Sequence, residues 1–388
     1  MAALSAAAFC SGISLRVTDA MLPKLAADFS VSLGQVALVI TVFAVAYGLA
    51  QLFFGPLGDR YGKYRVIAWG CVASAATNLL CAQSSDLTSL LFSRALAGGT
   101  AASVIPLAMA WIGDVIDYEH RQPVLARFLI GQIMGISAGV MLGGFAADYM
   151  TWQMPFYVIA AAFTLIALLI FRFNRHLPAR ARQMKPGQAS AIAHMLHEFS
   201  HVLMLPWARV VVITVFVEGA LIYGSFAFLV AHLHRVHQLS LSVAGQVVML
   251  FGLGGLGFAL SAHKLLPRLG EVGLCRAGGA LVSLAFLVMA LAPHWAWAIP
   301  AVTLAGLGFY MLHNTLQINA TQMAPERRGA AVAAFASLFF LGQSLGVALA
   351  GGLIRWIDTT GVLLVGSVGV LAVAFVFAEV KRRRQQPD

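Results

Sequence analysis

Charged residues are scarce in this 388-residue chain, because Asp, Glu, Lys and Arg together make up only 10% of it. A soluble protein of this length needs many more polar side chains to cover its surface, so the scarcity excludes an ordinary soluble fold. The chain is instead 60% hydrophobic, with a mean hydropathy of +0.85. Apolar windows of about twenty residues, each able to cross ~30 Å of hydrocarbon, recur from end to end.

Twelve apolar windows are predicted to be membrane-spanning helices, and they are numbered here as spans 1 to 12. They cover roughly 3–22, 34–55, 66–83, 88–112, 124–146, 154–172, 207–232, 243–262, 272–292, 297–320, 330–354 and 361–379. The predicted fold class is therefore an all-α polytopic membrane protein with twelve transmembrane helices.

Cysteine and motifs for catalysis or nucleotide binding are also scarce. The four cysteines lie inside predicted spans without the spacing of a metal site, so no disulfide framework is expected: Cys10, Cys71, Cys81 and Cys275. No G-x-x-x-x-G-K-[ST] loop is present, and no nucleophile and base can be paired. The sequence thus predicts neither an enzyme nor an ATP-driven pump, and it indicates no cofactor.

Histidines form two local clusters, for which metal binding and an ordinary interfacial position are both considered. The clusters are His194, His197 and His201, and His232, His234 and His237. We interpret them as interfacial residues and predict no metal site.

Positive charge is distributed unevenly between the two sides of the predicted membrane. With the N-terminus inside, only Lys24, Arg235 and Arg355 fall on loops assigned to the outside. This bias predicts a multi-pass protein of the cell inner (cytoplasmic) membrane with both termini cytoplasmic. The net charge of +10 therefore indicates orientation and does not indicate a nucleic-acid partner. The basic tail 381–384 is interpreted as an anchor at the lipid surface.

A basic, proline-containing connection divides the predicted spans into two sets of six. It covers 173–206, between an N-terminal bundle at 1–172 and a C-terminal bundle with the basic tail at 207–388. Its stretch 189–204 is predicted to be an amphipathic helix on the cytoplasmic face. The two bundles repeat short motifs: Leu96-Ala-Gly98 recurs as Leu304-Ala-Gly306, and Gly131-Gln132 as Gly342-Gln343. Tandem six-span halves are typical of secondary transporters.

The loop between spans 2 and 3 carries the most specific motif. It reads Gly55-Pro-Leu-Gly-Asp59-Arg60-Tyr-Gly62-Lys63 and meets every fixed position of G-x-L-x-D-R-x-G-R/K. In this it resembles the signature loop of the major facilitator superfamily. The resemblance implies two six-helix pseudo-repeat bundles, alternating access, and a central cavity lined by spans 1, 4, 7 and 10.

Further segments are similar to the drug:proton antiporter branch of that superfamily. Asp19-Ala-Met-Leu-Pro23 on span 1 is one of them. Span 5 resembles the antiporter motif through Gly135, Gly139, Gly143 and Gly144, although Val140 stands where the motif has proline. Glycines at this spacing allow close helix contact, and both simple packing and a role in transport direction remain open.

Charges within the spans carry the most functional information, since each costs at least ~2.5–3.5 kcal/mol to insert unpaired. They are Arg16 and Asp19 in span 1, Arg94 in span 4 and Glu218 in span 7. All four fall on spans that the resemblance assigns to the cavity, so we expect proton-coupling or substrate-binding roles. Arg16 and Asp19 could instead neutralise each other, and Arg94 could bind backbone carbonyls.

Polar and aromatic residues are expected to complete this site. Span 10 places a polar stripe on one face, and Tyr223 of span 7 adds an aromatic ring: Tyr310, His313, Asn314 and Gln317 form the stripe. His313 could share a proton with Glu218 or act as an ordinary hydrogen-bonding residue.

The predicted function is proton-coupled antiport that exports an amphipathic small molecule or drug. Proton-coupled uptake of a small organic acid or metabolite is the alternative, with Arg16 and Arg94 binding a carboxylate. A non-transporting receptor or lipid-handling protein is a third possibility. The expected partners are a small-molecule substrate, protons and the lipid bilayer, and we expect a monomer.

The charges of the signature loop lie at the cytoplasmic side and are not expected to bind substrate. We expect Asp59 and Lys63 to join Asp114 and Arg121 at the end of span 4, with Asp59 also facing the start of span 11 near Gly329. Together with Gly55, Arg60 and Gly62, they would form a conformational latch that closes the inner side.

Overall fold

Helices account for nearly all of the computed structural model, which describes residues 1–174 and 191–385. Within those ranges, nine helical segments are long and apolar enough to cross a membrane. Two of the nine contain a break and comprise two spans each, and the shorter apolar helix Ala2–Arg16 opens span 1. The twelve predicted spans are therefore all present as helices.

The N-terminal half contains spans 1 to 6. Their helices are Ala2–Arg16 with Leu22–Asp28 (span 1), Leu33–Val36 with Leu38–Tyr61 (span 2), Lys63–Ala82 (span 3), Leu87–Ala101 with Val104–Val115 (span 4), Tyr118–Tyr149 (span 5) and Met154–Asn174 (span 6).

The C-terminal half follows a helix at Ala191–Met204, the described part of the predicted linker, whose residues 175–190 lie outside the described ranges. Its helices are Pro206–Phe226 with Leu229–His237 (span 7), Leu241–Met249 with Phe251–Leu291 (spans 8 and 9), Ala298–Gln322 (span 10) and Arg328–Gln385 (spans 11 and 12).

Breaks in the helices follow from local chemistry. Span 1 is interrupted just before Pro23, which has no amide hydrogen to continue the helical bonding pattern. Spans 8 and 9 meet at Gly270, whose φ of +61° suits glycine because it has no Cβ. Spans 11 and 12 meet at Asp358, where φ is +55° and the carboxylate accepts a 2.7 Å hydrogen bond from the amide of Thr359.

Glycines bring corresponding helices of the two halves into the same kind of close contact. A Cβ on Gly98 of span 4 would collide with the carbonyl oxygen of Phe43 in span 2, and one on Gly306 of span 10 with that of Phe251 in span 8. Gly135 of span 5 meets the Phe9 carbonyl in the same way. The motif repeated in the sequence therefore marks a repeated helix contact.

The two halves meet mainly where span 2 packs on span 11 and span 5 packs on span 8. Asp148 at the end of span 5 accepts hydrogen bonds from the amides of Leu241 and Ser242, at 3.3 and 2.6 Å, which begin span 8. Gly34 and Gly351 touch at the same end of the molecule. We call this end the outer one, following the predicted orientation.

Contact between spans 2 and 11 continues toward the membrane centre. The Ser337 hydroxyl donates a 2.8 Å hydrogen bond to the Gly48 carbonyl, and the rings of Tyr47 and Phe340 lie 4.3 Å apart. Beyond this point toward the inner end, Gly55 and Gly329 are exposed, with no described atom within 4 Å of a Cβ built on either. The halves are thus joined at the outer end and separate toward the inner end.

We predict that Gly34→Val will destabilise the joined outer end, because its side chain would collide with the backbone of Gly351. Overpacking of this kind costs about 1–3 kcal/mol, so the purified protein should unfold at a lower temperature. Gly352→Val is the matched control, since Gly352 is exposed and a Cβ there meets no described atom within 4 Å. Equal melting temperatures for the two variants would contradict the close packing.

Candidate functional site

Arg16 lies at the centre of the molecule and contacts both halves. Its guanidinium donates a 3.2 Å hydrogen bond to Asp19 of the same span and a 3.0 Å bond to the side-chain oxygen of Gln343 in span 11. It also lies 4.0 Å above the ring centroid of Tyr223 in span 7. All four side chains are buried. Arg16 and Asp19 do pair, as one interpretation of the sequence held, but the pair also joins the halves.

Burying this ion pair is costly unless each polar atom finds a partner. Within the described residues, Arg16 Nε, Asp19 Oδ1 and Gln343 Nε2 are buried without a hydrogen-bond partner. Unsatisfied buried polar atoms are rare in folded proteins and concentrate at functional sites. The cluster therefore offers both donors and an acceptor to a small polar ligand.

Arg94 of span 4 is bound mainly to backbone. It donates to the carbonyls of Ser14 (3.0 Å) and Val39 (3.5 Å) and lies 4.2 Å from the ring centroid of Phe43. Ser14 precedes the break in span 1, so Arg94 supplies a donor where the regular helical pattern ends. Its Nη2 is buried without a described partner. Arg94 of span 4 is thus connected to span 1 by the bond to Ser14, and to span 2 by the bond to Val39 and the contact with Phe43.

Glu218 of span 7 forms the second pair of titratable side chains at the centre, with His313 of span 10. Its Oε2 lies 2.9 Å from Nδ1 of His313 in span 10, and its Oε1 is buried with no partner in the described part of the chain. The Glu218 side chain is fully buried, whereas that of His313 is 16% exposed. Since a histidine beside a carboxylate can take up and release a proton, the pair is suited to proton transfer.

Aromatic rings enclose the His313 side of this pair. The ring centroids of Phe309, Phe335 and Phe339 lie 5.0, 5.3 and 4.5 Å from that of His313. Tyr223, which stacks under Arg16, also contacts Phe309 and Phe339 at 5.6 Å. One aromatic cluster therefore separates the Arg16–Asp19 pair from the Glu218–His313 pair and touches both.

The polar stripe of span 10 becomes more exposed toward the inner end. Tyr310, His313 and Asn314 are half-buried, and Gln317 is exposed. Tyr310 packs on Phe309, while Asn314 and Gln317 make no side-chain hydrogen bond to the charged residues described above. The structure thus brings His313 into contact with Glu218, whereas Asn314 and Gln317 lie further toward the inner end of span 10.

Sequence reasoning missed Gln343 and the phenylalanines around His313. Gln343 is fully buried and is the partner that links Arg16 to span 11. The signal available was its place in the Gly342-Gln343 repeat, since a buried amide in an apolar span needs a partner. For Phe309, Phe335 and Phe339 no signal separates them from lipid-facing phenylalanines, because every span is apolar.

The signature loop forms a small ion-pair network. Lys63 Nζ lies 2.7 Å from Asp59 and 2.6 Å from Asp114, so it joins the end of span 2 to the end of span 4. Gly62 beside it has a φ of +89°. Arg60 is exposed, with its guanidinium 5.1 Å from the ring of Tyr61. The Asp59 side chain is 46% exposed, and the side chain of Arg121 lies outside the described part of the structure.

The second half carries a counterpart of this network with the charges exchanged. Gly270 has the positive φ of Gly62, and the next residue is the acid Glu271 where the first half has Lys63. Glu271 pairs with Lys381 of span 12 at 2.6 Å and accepts a 2.8 Å hydrogen bond from Asn319 of span 10. This ionic contact lies within one half, as its first-half counterpart does.

The span 5 glycines face two different partners. Gly135, Gly139 and Gly143 lie against backbone carbonyls of span 1, and Gly144 lies against the Leu241 carbonyl of span 8. The motif therefore packs span 5 on its own half and also on the opposite one.

His232 differs from the interfacial position expected for it. It is fully buried, with Nδ1 2.9 Å from the Thr359 hydroxyl and Nε2 3.0 Å from the Met289 carbonyl. Both ring nitrogens are thus occupied in tying span 7 to spans 9 and 12. No group of three His, Cys, Asp or Glu in the described residues could hold a metal ion.

The family model described as Major Facilitator Superfamily matches residues 4–347. The MFS-type transporter YceJ of Bacillus subtilis is 24% identical over 374 residues, covering 95% of this chain and 92% of its own. The puromycin resistance protein pur8 of Streptomyces alboniger is 26% identical, covering 86% and 77%. The multidrug export protein EmrB of Escherichia coli is 30% identical over a shorter region, 46% of this chain and 36% of its own.

Solved structures share the fold. The crystal structure of a bacterial homolog of the human lysosomal transporter Spinster, inward-facing and unoccupied, has a TM-score of 0.77 at 18% identity, covering 98% of this chain and 96% of that one. A POT family transporter has a TM-score of 0.79 at 12% identity, covering 99% and 96%. These matches confirm the predicted family and twelve-helix architecture, and the neighbours are transporters rather than enzymes.

We predict that Gln343→Met will destabilise the protein, because it removes the acceptor that Arg16 uses in span 11. Loss of a partner by a buried charged donor costs about 1–3 kcal/mol, which should appear as a lower unfolding temperature of the purified protein. Gln132→Met is the matched control, since Gln132 holds the corresponding place in the repeat and is only half-buried. A Gln343→Met protein as stable as the control would show that the Arg16–Gln343 bond does not hold the halves together.

Proposed function

Given that the chain belongs to the major facilitator superfamily and is a membrane transporter, we propose that it exports amphipathic small molecules in exchange for protons. The observation that carries the proposal is the buried Glu218–His313 pair, which joins spans 7 and 10 beside an aromatic cluster. A carboxylate and an imidazole in contact provide a protonation site, and the rings provide an apolar surface for substrate.

The relatives support the export direction. The names of the puromycin resistance protein, of EmrB and of the Penicillium aethiopicum efflux pump vrtL all describe drug resistance or efflux. Their identities to this chain are 26–30%, so the direction of transport and the substrate class belong to the proposal and not to the family assignment.

Exchange at Glu218 follows from competition for one buried carboxylate. When Glu218 is ionised it attracts either protonated His313 or a positively charged group of a substrate among the rings. A proton arriving from the outer side neutralises Glu218 and weakens its hold on that substrate group. Proton binding and substrate binding then compete for the same oxygen atoms, so that proton entry promotes substrate release, which is the requirement for antiport.

Alternating access would use the contacts between the halves. The halves are joined at their outer ends, and the polar side chains of span 10 become more exposed toward the inner end. This arrangement corresponds to a form that takes substrate from the inside. Rocking the halves the other way would break the span 5–span 8 contacts and release substrate outward.

Proton-coupled uptake of a small organic acid is the second candidate, and Arg16 is the observation that favours it. Its guanidinium retains an unpartnered Nε among the described residues, beside the Tyr223 ring. A substrate carboxylate could bind there in a charge-assisted contact. Transport direction in reconstituted vesicles separates the two candidates, because antiport accumulates substrate against the proton flow and uptake accumulates it with that flow.

We predict that Glu218→Gln will abolish proton-driven transport, since the amide cannot take up a proton from His313 or from water. The assay uses proteoliposomes with an imposed pH gradient and puromycin as the probe, chosen from the name of the pur8 relative. Downhill exchange of puromycin without a gradient should persist at a higher puromycin concentration, because it needs no net proton transfer but has lost the carboxylate that attracts the positive group of the substrate. Glu326→Gln, an exposed carboxylate outside the spans, is the control and should transport as the unaltered protein does. Undiminished pH-driven accumulation by Glu218→Gln would remove Glu218 from the coupling mechanism.

We predict that Asp59→Asn will favour inward-open forms, because it removes the carboxylate that we expect to face the start of span 11 near Gly329 when the inner side closes. The measurement is labelling of an introduced Gln317→Cys by a membrane-impermeant maleimide added from the cytoplasmic side. The four native cysteines are buried and should give little background. Labelling should be faster in Asp59→Asn than in Asp117→Asn, an exposed acid nearby. Equal labelling rates would count against a latch at Asp59.

A further inference from the structure

A polar cavity lies at the inner end of the C-terminal half, away from the charged centre. Its volume is about 200 Å³, and residues from the start of span 7 and the ends of spans 10 and 12 line it: Trp207, Asn319, Gln322, Lys381, Arg384 and Gln385. All its lining residues belong to one half, so the cavity does not depend on how the halves are oriented. The transport mechanism above makes no use of it.

The basic residues of the tail beside this cavity differ in whether a carboxylate neutralises their charge. Lys381 is paired with Glu271, and Arg382 and Arg383 are both paired with Glu379. Arg384 has no carboxylate partner among the described residues, and its described contact is with the Trp207 ring, 4.3 Å from the guanidinium carbon. The tail therefore presents one uncompensated guanidinium, and that group lies at the cavity.

Trp207 gives this guanidinium a fixed position. Its ring stacks on Arg384 from one side and lies 5.8 Å from the ring of Phe377, which is buried in span 12. Tryptophan is enriched where a transmembrane helix meets the lipid headgroups, because its ring is apolar and its N–H is polar. The planar face of arginine that stacks on a ring leaves its N–H edge free to donate.

We propose that this cavity binds the phosphate group of an anionic phospholipid from the adjacent leaflet. Arg384 donates to the phosphate oxygens, and the amides of Gln322 and Gln385 offer further donors around it. The acyl chains extend into the bilayer beside the apolar ring of Trp207. Arginine is suited to this ligand because two of its N–H groups can meet two phosphate oxygens at once.

Lys381 at the floor of the cavity determines how deeply the phosphate group can bind. Its side chain is only 8% exposed, and its ammonium contacts Glu271 and the Asn319 side-chain oxygen, at 2.6 and 2.7 Å. Because that charge is neutralised, the floor of the cavity is polar without attracting an anion deeper into the protein. The phosphate is thus expected at the rim, at the level of the headgroups, where Arg384 is exposed.

The test measures binding of phosphatidylglycerol to the purified full-length protein in an uncharged detergent, by native mass spectrometry. The unaltered protein should retain one phosphatidylglycerol under conditions that remove phosphatidylcholine. Arg384→Gln should bind it at least about tenfold more weakly, the loss expected for one charge-assisted contact. Arg383→Gln is the matched control, because it removes the same charge from the neighbouring residue, which is paired with Glu379 and does not line the cavity.

Three results would overturn the proposal. Equal weakening by Arg384→Gln and Arg383→Gln would show that the lipid responds to the charge of the tail as a whole. Retention of phosphatidylcholine as strongly as phosphatidylglycerol would show that the net charge of the headgroup plays no part. Displacement of the lipid by an equal concentration of inorganic phosphate would identify a site for a soluble anion. Unfolding temperatures measured without lipid should match for both variants, since each alters an exposed residue.

Discussion

The charge of Arg16 must be compensated inside a hydrocarbon environment, and the centre of the molecule is arranged around that requirement. Asp19 supplies the opposite charge from the same span, and Gln343 and Tyr223 supply an acceptor and a ring face from the other half. An arginine at this depth is tolerated only with such partners. Because they come from both halves, any rotation of one half against the other changes how well Arg16 is compensated.

Glu218 and His313 form a separate hydrogen-bonded pair that lies within the C-terminal half. The aromatic cluster connects it to Arg16, since Tyr223 contacts the guanidinium on one side and Phe309 and Phe339 on the other. A molecule bound among these rings would lie close to both pairs. The two pairs, the aromatic rings and the contact between the halves therefore lie within short distances of one another, and the proposed exchange needs no long pathway between separate sites.

The sequence repeat made much of this architecture predictable. Gly98 and Gly306 mark the same helix contact in the two halves, and the charges of spans 1, 4 and 7 identified residues that the structure buries at its centre. The charged loops are less symmetric. Lys63 follows Gly62, but Glu271 follows Gly270. The backbone turn is therefore repeated while the sign of the charge is exchanged, and each half meets its own partners.

The sequence by itself determined the helices, their number and the residues that must be buried with partners, because apolar length and the cost of unpaired charge are local properties of the chain. Which partners those charges find was decided only by the tertiary structure. Glu218 and His313 are 95 positions apart and Arg16 and Gln343 are 327 apart. Their pairing depends on how spans 1, 7, 10 and 11 rotate about their own axes. The packing of the helices determines that rotation. The local sequence does not encode it, because nearly every face of each span is apolar.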